Sequence, residues 1–293
     1  MRITTSMLQQ SVLDAVQANL QRMAAAQDQV STGKKVTAAS DDPVAASQIL
    51  RASQDLDALA QVQRNITAAQ TRVSAEDSVL SQVTNLVTRA QELAVEQSSD
   101  TATTATRAST KSEVDGLIAN VVELGNTQVG DEYIFGGAQT TVAPFRANGS
   151  YVGDDTERQA EIATGTYAAT SHTGRALFVA SGLLPSLQAL SSALASGSGS
   201  AVGATVSTLQ QASDNVQALV ADTGARDNRL GTAGQNASAL VTAITSRRST
   251  LQDADVATSS TELIAAQTSL QAALLAASRV LPTTLASYLG SST

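Results

Sequence analysis

The positions at which this chain could do chemistry are few: a single histidine, His172, an acidic run Gly153-Asp154-Asp155-Thr156-Glu157, and the basic pair Lys34-Lys35. A Ser-His-Asp relay needs a buried imidazole oriented by its neighbours. His172 lies between turn signals and reads as a solvent-facing loop residue. The acidic run offers oxygen ligands but lacks the spacing of a calcium-binding loop, so it reads as a hairpin turn with solvated carboxylates. Lys34-Lys35 reads as a basic spot in a helix–helix loop. No phosphate-binding or dinucleotide fingerprint occurs. With no cysteine there are no disulfides and no thiol chemistry. No catalytic residue, cofactor or metal ligand is expected, and the chain is read as a structural protein, not an enzyme.

Composition narrows the partners. Of 293 residues, 42% are apolar but only 2% aromatic, and alanine dominates the apolar set. Small side chains suit close helix–helix contact. A net charge of −8 with three lysines argues against nucleic acid. The opening Met1–Ser6 lacks the apolar core of a cleavable signal peptide. The apolar stretch Leu263–Leu281 is broken by Gln267, Gln271 and Arg279 and does not read as a membrane span.

The elements expected from periodicity are mostly helical. Leu8, Val12, Val16, Leu20 and Met23 form a stripe, closed by Gly33 as a helix stop. Ser40-Asp41-Asp42-Pro43 announces a second helix, with carboxylates for its orphan N–H groups and proline at its first position. In the helix that follows, Ala52, Leu59, Ile66, Val73, Leu80, Val87 and Ala94 recur every seventh residue. A strict seven implies supercoiling about a partner helix. The same repeat returns in Val202, Leu209, Val216, Thr223, Leu230, Ala237 and Ile244. Paired antiparallel, the two stripes match when partner numbers sum to 296, which sets Ser40–Pro43 beside Asp253–Asp255 and lets Thr223 bond back to its own helix. A slip of one heptad gives 289 or 303. A shorter helix is expected over 107–129. Between about 130 and 179, Gly and Asn-Gly turns and most of the aromatics read as β-hairpins, and Gly197-Ser198-Gly199-Ser200 as a flexible connection. A last stripe holds Leu263, Leu270, Leu274 and Leu281.

The fold class is therefore mainly α: a long antiparallel coiled-coil rod with a small β-rich insertion at one end. Its segments are an amino-terminal assembly helix (1–40), the first half of the rod (41–130), the insertion (131–180), the return half (181–252) and a carboxy-terminal assembly helix (253–293). Because heptads flank the insertion, residues 138–179 are expected to be removable without loss of the rod. Leu8, Val12, Val16, Leu20, Met23, Leu263, Leu270, Leu274 and Leu281 are assigned to an assembly interface. Leu59, Ile66, Val73, Leu80, Val87, Leu209, Val216, Leu230 and Ile244 are assigned to the rod core.

Several stretches carry a resemblance. Met1-Arg2-Ile3-Thr4-Thr5-Ser6-Met7, Gln29–Val36, Ser40-Asp41-Asp42-Pro43-Val44-Ala45-Ala46, Tyr133-Ile134-Phe135-Gly136-Gly137 with Pro144-Phe145, Tyr151–Asp155, Asp253–Ala257 and Leu285-Ala286-Ser287-Tyr288-Leu289 closely resemble the flagellar hook-associated protein 3 family, hook–filament junction proteins of flagellin type. The resemblance implies a subunit exported through the flagellar type III apparatus, without a cleaved signal peptide, to the extracellular flagellum. It implies a ring of copies between hook-associated protein 1 and flagellin, and a cytoplasmic export chaperone as a further partner. The alternatives are flagellin itself, which more often reads Lys-Asp-Asp-Ala-Ala-Gly at the second helix start, and, remotely, a secreted coiled-coil adhesin or effector.

Overall fold

The computed structural model describes residues 5–289, and side chains at position 7 and from 10 to 279. It is mainly α and divides into two compact units, one built from residues up to Asp57 and from Val241 onward, the other from Ala58–Leu240.

In the first unit, helix α1 (Thr5–Thr32) packs on helix α6 (Val256–Leu289). Gly33 ends α1 in the left-handed region at φ 67°, where a side chain would be strained. The next residues strap onto the chain ahead of α6. The Lys35 N–H donates to the Gln252 carbonyl at 2.7 Å, and the Ala254 N–H donates to the Gly33 carbonyl at 2.9 Å. The two chain reversals do fall at one level, but the partner of Asp253 is Lys34, not Ser40–Pro43.

Helix α2 (Pro43–Gln97) and helix α5 (Gly199–Gln252) are 55 and 54 residues long. Within the second unit they run antiparallel, with Gln63 at Ser238, Ile66 at Gly234, and Gln91 at Leu209 and Gln210. Those numbers sum to 300 or 301, between the expected 296 and a slipped heptad at 303. Knobs of one helix sit in holes between two residues of the other, so one stripe faces the companion stripe. On α2 the companion is Val62, Ala69, Glu76, Val83 and Ala90, all buried. Thr223 Oγ1 is buried without a hydrogen-bond partner, contrary to the expected back-bond.

Helix α3 (Thr104–Gly125) starts in a capping box of Thr103 and Thr106, three residues before the expected position, and ends at Gly125. Two short hairpins follow, β1 (Gln128–Val129) with β2 (Glu132–Tyr133), and β3 (Gln159–Ala163) with β4 (Thr166–Ala169). Around Asn148-Gly149 a bridge joins Phe145 and Tyr151. A π-helical turn, Arg175–Ala180, buries Leu177 and Phe178. Residues 181–252 are not one half of the coil. Leu183–Ser196 form a separate helix, α4, packed on α3. Gly197 (φ 73°) and Ser198 are a two-residue turn into α5, not a flexible linker. Arg107 locks this corner, donating to the carbonyls of Gln97, Ser99 and Gly197 at 3.1, 2.9 and 2.8 Å.

The insertion is not separable either. The rings of Phe135, Phe145 and Phe178 meet edge to face at 5.2–5.3 Å. They share one core with Val83 and Val87 of α2, Val121 of α3, Leu187 of α4 and Leu209 of α5. Deleting 138–179 would remove two of those three rings and open the helical core.

Candidate functional site

The helix-start signature is built as its chemistry demands. Asp42 Oδ1 accepts the N–H groups of Val44 and Ala45, both at 2.9 Å, which caps α2. Asp41 Oδ2 accepts the N–H of Ala38 at 2.9 Å and both the N–H and hydroxyl of Thr37 at 3.0 Å, and Ser40 Oγ reaches Asp41 Oδ1 at 3.5 Å. The Ala38 and Thr37 backbone amides hold the Asp41 carboxyl below the usual carboxylate range. Asp255 mirrors Asp42 at the start of α6, taking the Ala257 N–H at 2.9 Å, and that bond likewise lowers its titration. Charged at neutral pH and neutralised as pH falls, the Asp41 carboxylate loosens the turn ahead of α2, and Asp255 the start of α6, in acid, not in base.

Along α1 and α6 the sequence-assigned interface residues divide. Leu270 is buried, and Val12, Val16, Met23 and Leu263 are half-buried. Leu20 and Leu274 are about half exposed, joined by Met7, Leu13, Ile264 and Leu275 as uncovered apolar side chains on the same two helices. Leu8 and Leu281 lie on the helices, but their side chains fall outside the described residues. Pairing α1 with α6 thus uses part of the apolar surface and leaves a second part in solvent. Apolar residues recurring along paired helices in this way mark an interaction surface.

Among the rod-core assignments, Ile66, Val73, Leu80, Val87, Leu209, Val216 and Leu230 are buried, while Leu59 and Ile244 are half-buried.

Two functional placements escaped the sequence reading. Lys35 is not a bare basic spot: its Nζ donates to the Thr250 carbonyl at 2.7 Å, a cation on the last turn of α5 where the helix dipole favours one. His172 is not a solvent-facing loop residue. It is 5% exposed and lies between Glu76 of α2 and Asp222 of α5. Glu76 was the available signal, since a carboxylate on the seam of a coiled coil must find a buried partner. The acidic run is not a hairpin turn, but its acids Asp155 and Glu157 are solvent-exposed as expected, Asp155 pairing at the surface with Arg175 and Glu157 with Arg226.

Two family models match, the bacterial flagellin N-terminal helical region over residues 3–140 and the bacterial flagellin C-terminal helical region over residues 206–289. Flagellar hook-associated protein 3 of Escherichia coli (strain K12) is 36% identical over 180 residues, a match covering 61% of this chain and 57% of that protein's length. The chain thus spans little more than half of that relative. In three dimensions the chain is similar to FlgL of Bacillus cereus, with a TM-score of 0.59 and 24% identity over 68% of this chain and 99% of that one. It is also similar to the flagellar junction protein FlgL from Legionella pneumophila, with a TM-score of 0.57 and 16% identity over 70% of this chain and 99% of that one. At those identities the likeness shows a shared fold.

Proposed function

This chain belongs to the bacterial flagellin family, and from that premise we propose that it is a structural subunit of the flagellum that joins the hook to the flagellin filament. The observation that carries this reading is the pair α1 and α6. The family matches take in both helices, and those helices keep apolar side chains uncovered after packing on each other. A subunit with such ends is completed by neighbouring copies. The relative at 36% identity is a hook-associated protein, which favours the junction over the filament itself. In this reading the ring contacts hook-associated protein 1 on one side and flagellin on the other. The chain reaches its place through the flagellar type III apparatus, held beforehand by a cytoplasmic chaperone. Its function is mechanical, with no reaction catalysed.

A deletion strain tests this. It is expected to build hooks of normal length without filaments and to release flagellin monomer into the medium, with filaments restored by the gene in trans. Filaments of normal number and length in the deletion strain would contradict a junction role. Loss of flagellin from cells and medium alike would identify the chain as the filament subunit instead.

A further inference from the structure

His172 is the only histidine in the chain, and both of its ring nitrogens are engaged by carboxylates from different helices. Nδ1 lies 2.5 Å from Glu76 Oε1, and Nε2 lies 3.0 Å from Asp222 Oδ2. Its backbone N–H also donates to Glu76, at 3.1 Å to Oε2 and 3.3 Å to Oε1. Glu76 is fully buried, whereas the Asp222 side chain is 51% exposed. Asp222 also accepts from Arg226 Nε at 2.7 Å. That bond first, and the histidine after it, holds its carboxyl below the usual range, so it faces the ring as an acceptor. A neutral imidazole has one N–H and can serve one of the two carboxylates; the imidazolium has two and serves both.

We propose that His172 is a protonation-dependent clasp, its imidazolium bridging Glu76 of α2 and Asp222 of α5 and so fixing the segment after β4 across the coiled coil. The surrounding charges agree. The elements packed around this segment present Glu76 and Arg72 on α2, Asp222 and Arg226 on α5, Glu132 on β2, and Glu157 and Arg158 ahead of β3. Arg226 also reaches Glu157 at 3.2 Å, while Arg72 and Arg158 share Glu132. Arg175, paired with Asp155, and Arg229 of α5, on the Tyr167 carbonyl at 3.3 Å, add further charges around the segment, and the imidazolium is a cation set between Glu76 and Asp222. Neutral, the ring has one N–H for two carboxylates, and Glu76, the fully buried one, has the most to lose from an unmet acceptor.

The sign follows from where the carboxylates are. Only the folded state brings Glu76 and Asp222 to the ring, so folding retains the second ring proton. The clasp holds while the ring carries both protons and is lost when one of them is released. A single histidine makes the test direct. Imidazole ¹⁵N resonances of the intact protein are expected to show both ring nitrogens protonated at pH 7, where a free histidine, titrating near about 6.5, is mostly neutral. Asp222→Asn, which keeps an acceptor at a half-exposed position but removes its charge, is expected to shift release of that proton to lower pH. The melting temperature of the wild-type protein is expected to fall between pH 6 and pH 9 more than that of His172→Gln. A neutral tautomer in the wild-type protein at pH 7, or equal pH slopes in the two proteins, would overturn the proposal. If either variant fails to fold, the wild-type spectrum still decides.

Discussion

A strain carrying Leu270→Pro is expected to be non-motile, to carry hooks without filaments, and to release flagellin into its medium. Leu270 lies in the interior of α6 and is 9% exposed, covered in the unit where α6 packs on α1. Proline there removes one main-chain hydrogen bond and drives its ring into the carbonyl four residues back, at a cost of about 3 kcal/mol or more. The lost side chain adds to this, because a buried leucine is worth about 2–3 kcal/mol of apolar burial. The effect falls on the helix that presents Ile264, Leu274 and Leu275 to solvent, so the surface offered to neighbouring subunits goes with it. Export of the variant subunit itself is expected to continue. Swarming diameter and flagellin in the supernatant read the outcome. A motile strain would remove α6 from the assembly surface.

Phe178→Ala is expected to lower the melting temperature by roughly 10 °C, following a loss of about 3–5 kcal/mol for an aromatic truncated in a close-packed core. Phe178 is fully buried and touches the rings of both Phe135 and Phe145. In a chain with seven aromatic residues, these three rings fill the space where α2, α3, α4 and α5 converge, and alanines on the helices cannot close the gap. Tyr167→Ala on β4, more than half exposed, is the control and is expected to change stability by no more than about 0.5 kcal/mol. Calorimetry of the two variants reads the difference. Equal melting temperatures would mean that the β-rich insertion folds apart from the helices, as its flanking heptads suggested.

What the sequence made legible was what is periodic or local. Seven-residue spacing located both long helices, and Asp42 beside Pro43 set the start of α2 to the residue. Gly33 stopped α1 where its chemistry said it would. The misses share one cause, that pairing across the chain is not periodic. The coil register depends on which stripe fills the holes of the other, and the heptads of α2 and α5 read alike at 296 and 300. Helix α4 was hidden because Leu183, Leu187, Leu190 and Leu194 continue an apolar rhythm that nothing in one dimension assigns to α3 instead of α2. The three phenylalanines lie 10 to 43 residues apart on turn-rich sequence, and only the fold brings them together. His172 is the sharpest case. Its flanking turn residues implied solvent, and its burial depends on Glu76 and Asp222, respectively 96 and 50 residues away. Within the candidate assembly surface the stripes were visible, but not the division of each into a face spent on the partner helix and a face left open.

The junction role is tested most directly by locating the subunit on isolated flagella. Labelled through a cysteine introduced at Tyr167, an exposed site in a chain that has none, the protein is expected at one point per flagellum, the boundary of hook and filament. Its copy number there should match about a single turn of subunits. Label distributed along the filament would contradict the account and make the chain a filament subunit.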